Sequence, residues 1–311
     1  KLEAVGRGDL ARNLGADPAL SAQGMGISFL AQNAGKTSLT LNLKDPRGKD
    51  ILRQLVREAD VLVENFRPRV MERLDLGYDS LRSENPRLIY CAISGFGQDG
   101  PWADNPAYDQ IVQGAAGVMS ITGDQTPLRV GYPLSDTVGG LTAAMAITAA
   151  LSATPRGCFI DVSMLEATLA TMGWVVSNHL IGGVEPARHG NENPTSAPSG
   201  TFQASDGLLN IAANKDEQWE ALARYLGRED LLGRAEFATR EDRKSNRLRL
   251  RAELETVLTT RPAEEWANAL NKIGVPAGPV LSVPQALAHP QVAERGMIAQ
   301  FPAPDGVGRD I

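Results

Sequence analysis

Apolar and polar residues alternate at Leu39, Leu41 and Leu43, the two-residue period of a half-buried strand. Asp45-Pro46 follows, an N-cap and a proline suited to the first helical position, and Ile51, Leu52, Leu55 and Val56 give the predicted helix an apolar face. Val61-Leu62-Val63 and Leu88-Ile89-Tyr90-Cys91-Ala92-Ile93 are short apolar runs of the kind buried on both faces of a parallel sheet. Strand and helix alternate, which predicts an α/β fold with an open, mostly parallel sheet.

Residues 108–119 and 136–151 are rich in Ala, Gly and Met, a composition for close-packed helices. Phe159-Ile160-Asp161-Val162 adds a strand, and residues 164–180 a further helix. From 184 to 199 the text turns to Pro, Gly, Asn, His and Ser, a loop or domain crossing. Beyond it, Thr201-Phe202-Gln203 and Leu208-Leu209-Asn210-Ile211 flank Ser205-Asp206-Gly207, a hairpin signal. Helices are predicted over 216–226, 241–259 and 262–273. The expected organisation is a large α/β domain over 1–195, completed by 297–311, and a smaller α+β domain over 196–296.

The 311 residues carry 31 Lys and Arg against 37 acids, a balance that argues against a general nucleic-acid surface. The two cysteines, Cys91 and Cys158, are too far apart for a metal or CxxC site and suit a reducing compartment. No run approaches the roughly 20 apolar residues of a membrane span, and Lys1-Leu2-Glu3-Ala4 is not a signal peptide. A cytoplasmic enzyme without membrane or nucleic-acid partners is the expectation.

Several motifs fail. Gly35-Lys36-Thr37 ends like a P-loop, but Leu30 stands where that loop needs glycine. Gly6, Gly8 and Ala11 match a dinucleotide fingerprint only loosely. His179, His189 and His289 are scattered, so neither zinc nor a Ser-His-Asp triad is indicated. Ser94 follows Ala92 and sits in no nucleophile elbow.

What remains is an ordered series of motifs. It runs through Lys36 to Leu43, Val63-Glu64-Asn65-Phe66-Arg67-Pro68, Leu76-Gly77-Tyr78, Asn85-Pro86-Arg87 and Ser94-Gly95-Phe96-Gly97-Gln98-Asp99-Gly100-Pro101. It continues with Tyr108-Asp109-Gln110, Leu134-Ser135-Asp136-Thr137-Val138-Gly139-Gly140, Asp161-Val162-Ser163-Met164 and Gly274-Val275-Pro276. Together these resemble the class III CoA-transferases of the CaiB/BaiF family and their racemase relatives, over nearly the whole chain. The resemblance implies a Rossmann-like large domain and an interlocked homodimer. Acyl-CoA and a small carboxylic acid are the implied substrates, with no metal or redox cofactor.

In such enzymes an aspartate attacks the acyl-CoA thioester, and by motif that aspartate is Asp136. A helix N-terminus would favour its charged form by about 0.3–1 kcal/mol; from the residues alone, Ser135-Asp136 before an apolar helix reads as a capping signal. Asn65, Phe66 and Arg73 match family positions around CoA, with Lys36 in a basic position nearby. Taken alone, Arg73 and Lys36 read as solvated charges. An arginine that the family carries after its second strand is Ala4 here, with Arg7 as its nearby substitute. Gly190, Asn191, Glu192 and Asn193 stand where the family has a glycine-rich mobile loop, and read equally as a lid or a linker.

The racemase relatives carry a histidine where this chain has Tyr108. A tyrosine with a pKa of about 10 is a poor base near neutrality, so transfer is favoured over racemisation and Tyr108 is assigned to the CoA channel. A non-catalytic member of the fold is the remaining alternative. The resemblance also implies about thirty residues ahead of Lys1, including a glutamine that holds the acyl group, and a further tail. Short dicarboxylates such as succinate or glutarate are the substrates that the resemblance suggests.

Overall fold

The computed structural model describes residues 1–302, 306 and 308–310. Part of the predicted 297–311 return, at 303–305, 307 and 311, lies outside the described residues. The chain divides into two units. One comprises Lys1–Ser120, Leu128–Pro186 and Ile298–Ile311, the other Ile121–Pro127 and Ala187–Met297. The 187–195 segment thus packs with the second unit.

In the first unit, strand β1 (Leu2–Glu3) pairs in parallel with β2 (Leu39–Thr40). Helix α1 (Pro46–Glu58) follows, with Asp45 accepting the Arg47 N–H and Pro46 in the first turn. Leu52 and Val56 are buried, whereas Ile51 and Leu55 are exposed, so the buried face is a narrower stripe than the sequence suggests. Next come β3 (Val61–Glu64) and the one-turn helix α2 (Val70–Arg73). β4 (Ile89–Ser94) leads through helix α3 (Asp109–Ala115) to helix α4 (Leu134–Leu151) and β5 (Cys158–Ser163). Strands β3, β4 and β5 form a parallel sheet in that order, the expected mixed architecture around an open sheet.

Helix α4 packs on β4 and β5. Ser135, Gly139 and Ala143 are its buried residues, and Ile147 joins the small core of Cys91, Ala143 and Val162. The four-residue spacing is that of one helix face. A Cβ on Gly139 would come within 3.1 Å of the Met164 side chain, so glycine is what allows this close approach. After β5 the sequence predicts one helix over 164–180. The structure has two, α5 (Met164–Thr171) and α6 (Gly173–Gly182), separated where Gly173 takes a φ of 40°.

In the second unit, β6 (Ser199–Gln203) and β7 (Leu208–Ala212) form the expected antiparallel hairpin, extended by β8 (Ala277–Pro279). Helices α7 (Asp216–Tyr225), α8 (Arg247–Leu258) and α9 (Ala263–Lys272) cover it. Their core holds Phe202, Trp219, Phe237 and Trp266. The helix predicted over 241–259 is interrupted at Asn246, which ends one helix and precedes the next. After the second unit, Gln300–Pro302 and Gly308–Asp310 pair antiparallel within the first.

Arg243 is 2% exposed. Its Nε donates to the Ala197 carbonyl at 2.9 Å, its Nη1 to that of Phe237 at 3.3 Å, and its Nη2 pairs with Asp216. Arg243→Met fills the space but strips those carbonyls of their donors, and is expected to lower stability by about 3 kcal/mol, measurable by urea unfolding.

Candidate functional site

A parallel crossover fixes the direction of α4. The chain leaves β4 at Ser94, returns along α4 and enters β5 at Cys158, so the start of α4 lies at the carboxyl end of the sheet, where open α/β sheets hold ligands. β3 delivers Asn65 and Phe66 to the same edge, because they follow its last residue, Glu64.

Asp136 is the third residue of α4, one turn further in than a cap, which corrects the capping reading. Pro133 precedes the helix and makes no side-chain cap. The carboxylate that closes the helix end comes from α3: Asp109 Oδ1 accepts the Ser135 N–H at 2.8 Å and the Asp136 N–H at 3.4 Å. Gln113, fully buried, holds Asp109 in turn. Its Nε2 donates to Asp109 Oδ2 at 2.7 Å and to the Tyr132 carbonyl at 3.2 Å, while its Oε1 accepts the Val130 N–H at 2.9 Å. On the other side, Thr168 Oγ1 lies 2.9 Å from Ser135 Oγ.

The Asp136 side chain reaches solvent, yet its carboxyl is raised above the ordinary aspartate range, first by burial and then by the negative charge of Asp109. The shift runs against the direction expected from the helix end. With the Ser135 and Asp136 N–H groups turned to Asp109, the positive end of the helix is already answered. The result is a more proton-avid, and so more basic, carboxylate facing solvent.

The chain matches the family model described as CoA-transferase family III over residues 1–309. It belongs to the family III CoA-transferases. It is 43% identical over 304 residues to the acetyl-CoA:oxalate CoA-transferase of Acetobacter aceti, covering 96% of this chain and 77% of that one. Identity to the succinate–glutarate CoA-transferase of Agrobacterium fabrum is 37% over 314 residues, covering 98% and 78%. Among solved structures, a CaiB/BaiF family protein from Brucella suis superposes with a TM-score of 0.86 at 36% identity, over 99% of this chain and 82% of that one. These findings identify the chain as an enzyme of this family.

Within the transferase, the residues read from the sequence as CoA contacts are all exposed. Asn65 and Phe66 follow β3, and Arg73 ends α2. Tyr108, 78% exposed, immediately precedes α3 and its Asp109. Arg7 lies in the turn after β1. Lys36 Nζ donates to the Gln32 carbonyl at 2.7 Å, and Lys1 Nζ and Lys36 Nζ both approach Asn33 Oδ1. Among the described residues no cluster of His, Cys, Asp and Glu has the arrangement of a metal site.

In the second unit, Gly190, Asn191, Glu192 and Asn193 line a cavity of about 570 Å³ with β6, β7 and β8. Glu192 pairs with Arg247 at 3.5 Å and with Arg251, Arg247 also donates to the Asn193 carbonyl at 3.1 Å, and the Asn193 N–H reaches Ser199.

Sequence reasoning singled out Tyr108 and passed over its neighbour Asp109, and it passed over Gln113 altogether. The available signal was a carboxylate and an amide four residues apart on one helix face. Asp109→Asn keeps an oxygen for the Ser135 N–H and removes the charge, so the Asp136 carboxyl is expected to titrate at lower pH than in wild type. Carbon-detected NMR of the aspartate side chains checks this; an unchanged titration would leave burial as its whole cause.

Proposed function

We propose that the enzyme transfers CoA through Asp136 as its nucleophile. The Asp136 carboxylate adds to the acyl-CoA carbonyl, the C–S bond breaks, and CoA thiolate leaves a mixed anhydride. The thiolate then attacks the aspartyl carbonyl, releasing the donor acid and forming an aspartyl-CoA thioester. The acceptor carboxylate attacks that thioester, and the returning thiolate takes the new acyl group and restores Asp136. Electron pairs balance at each step without a redox partner.

The observation that carries this reading is a basic, solvent-reaching carboxylate in the first turn of α4, at the ligand-binding edge of the sheet. Racemisation is the weaker reading because Tyr108, the first residue before α3, is a poor acceptor for an α-proton. Asn65, Phe66, Arg73, Lys36 and Arg7 are proposed to hold CoA, the cations by charge-assisted hydrogen bonds to phosphate, with Tyr108 along its channel. Short dicarboxylic acids are the proposed acceptors, on the named activities of the relatives. For the Gly190–Asn193 loop a covering role is proposed, on its glycine and its cavity-lining polar groups. Cys91 and Cys158 as free thiols suit the cytoplasm.

A homodimer, interlocked as the family implies, is proposed on the exposed apolar residues of α4 and α6, among them Leu141, Met145, Trp174, Leu180 and Ile181. Sedimentation velocity should find twice the mass of one chain, and Leu141→Glu with Met145→Glu should shift it toward one.

Asp136→Ala is expected to cut CoA transfer by about a thousandfold or more while CoA still binds. Incubating wild type with acyl-CoA and then hydroxylamine should convert Asp136 alone to its hydroxamate, read by peptide mass spectrometry. Turnover retained in the folded alanine variant would end the reading.

A further inference from the structure

Glu64 ends β3 with its side chain partly buried. Its Oε2 accepts the Phe66 N–H at 2.7 Å, closing a tight turn that leaves Asn65 and Phe66 exposed, Phe66 by 46%. From α2, Glu72 brings a second negative charge toward it. From β4, Tyr90 and Cys91 both feel the Glu64 charge. Tyr90 stands beside Leu62 in the parallel register, on the face that Glu64 shares by the two-residue period. Its hydroxyl is buried and finds no partner among the described residues. A carboxylate kept in such surroundings, accepting the Phe66 amide, is a costly choice for a position that only ends a strand.

We propose that Glu64 is a positioning residue for CoA, its carboxylate holding the Phe66 amide so that Asn65 and Phe66 are presented in the one turn geometry that binds the nucleotide. This rests on the reading of Asn65 and Phe66 as CoA contacts. Burial raises the Glu64 carboxyl to about 7 despite the Phe66 N–H, and Glu72 adds to the rise. The turn is therefore held by a neutral acceptor below that pH and by a charged, stronger one above it. Acyl-CoA affinity should improve as pH rises through about 7, while the chemical step at Asp136 does not depend on Glu64.

The test uses the full chain, with acyl-CoA as variable substrate, and compares KM and kcat between about pH 6 and 8. Glu64→Ala should raise the acyl-CoA KM about tenfold, with kcat changed less than about twofold. Glu64→Gln, which keeps an oxygen for the Phe66 amide, should restore KM to within about threefold of wild type. Wild-type KM should fall severalfold as pH rises, and the fall should be smaller in Glu64→Gln. CoA phosphate and Asp136 titrate alike in both proteins, so the difference between profiles reports Glu64.

Asn65→Ala and Phe66→Ala separate the two readings. If either raises KM while Glu64→Ala leaves it unchanged, the turn binds CoA without help from Glu64 and the proposal is overturned. If neither raises KM, the CoA reading of the turn fails and takes the proposal with it. Should Glu64→Ala not fold, identical pH profiles for Glu64→Gln and wild type overturn it.

Discussion

The hydrogen bonds from the Ser135 and Asp136 amides to the Asp109 carboxylate are the constraint on which the site depends. A helix end leaves its first amides without partners inside the helix, and here another helix supplies the acceptor. That acceptor cannot drift, because fully buried Gln113 holds its second oxygen and spends its remaining groups on the backbone at Val130 and Tyr132. One amide side chain thereby ties α3, the approach to α4 and the first turn of α4 into a single unit.

This arrangement settles a competition that a helix end alone would decide differently. The helix favours a charged carboxylate near its start by a fraction of a kcal/mol to about 1 kcal/mol. Burial and a neighbouring carboxylate act the other way, and at Asp136 they prevail. A carboxylate is a weak nucleophile, and one with greater proton affinity is a stronger one, which is the property the proposed role of Asp136 draws on.

The parts of the fold legible in the sequence are those encoded locally. Asp45 and Pro46 announce α1, the apolar runs at 61–63 and 88–93 become β3 and β4, and Ser205-Asp206-Gly207 turns the hairpin. The place of Asp136 at the start of a helix was legible from the apolar run behind it, and its proposed role rests on the order of its surrounding motifs. Its partner Asp109 was not, because the two stand 27 residues apart and only the β4–α4–β5 crossover brings them together. Gly173 and Asn246, by contrast, were visible breaks inside predicted helices whose apolar flanks outweighed them. Ile51 and Leu55 show the opposite limit, since periodicity gives the apolar residues of a helix but not how many of them the neighbouring core covers.

Gly139 sits one turn beyond Asp136 and lies flush against Met164. Successive helical residues are about 100° apart around the axis, so rolling α4 by one residue brings either the Val138 side chain or a second glycine, Gly140, toward that contact, and either way turns Asp136 from its present direction. Close packing at a residue with no functional group thus resists the roll that would bring Val138 inward. The direction of the Asp136 side chain is held in part by an absence of atoms.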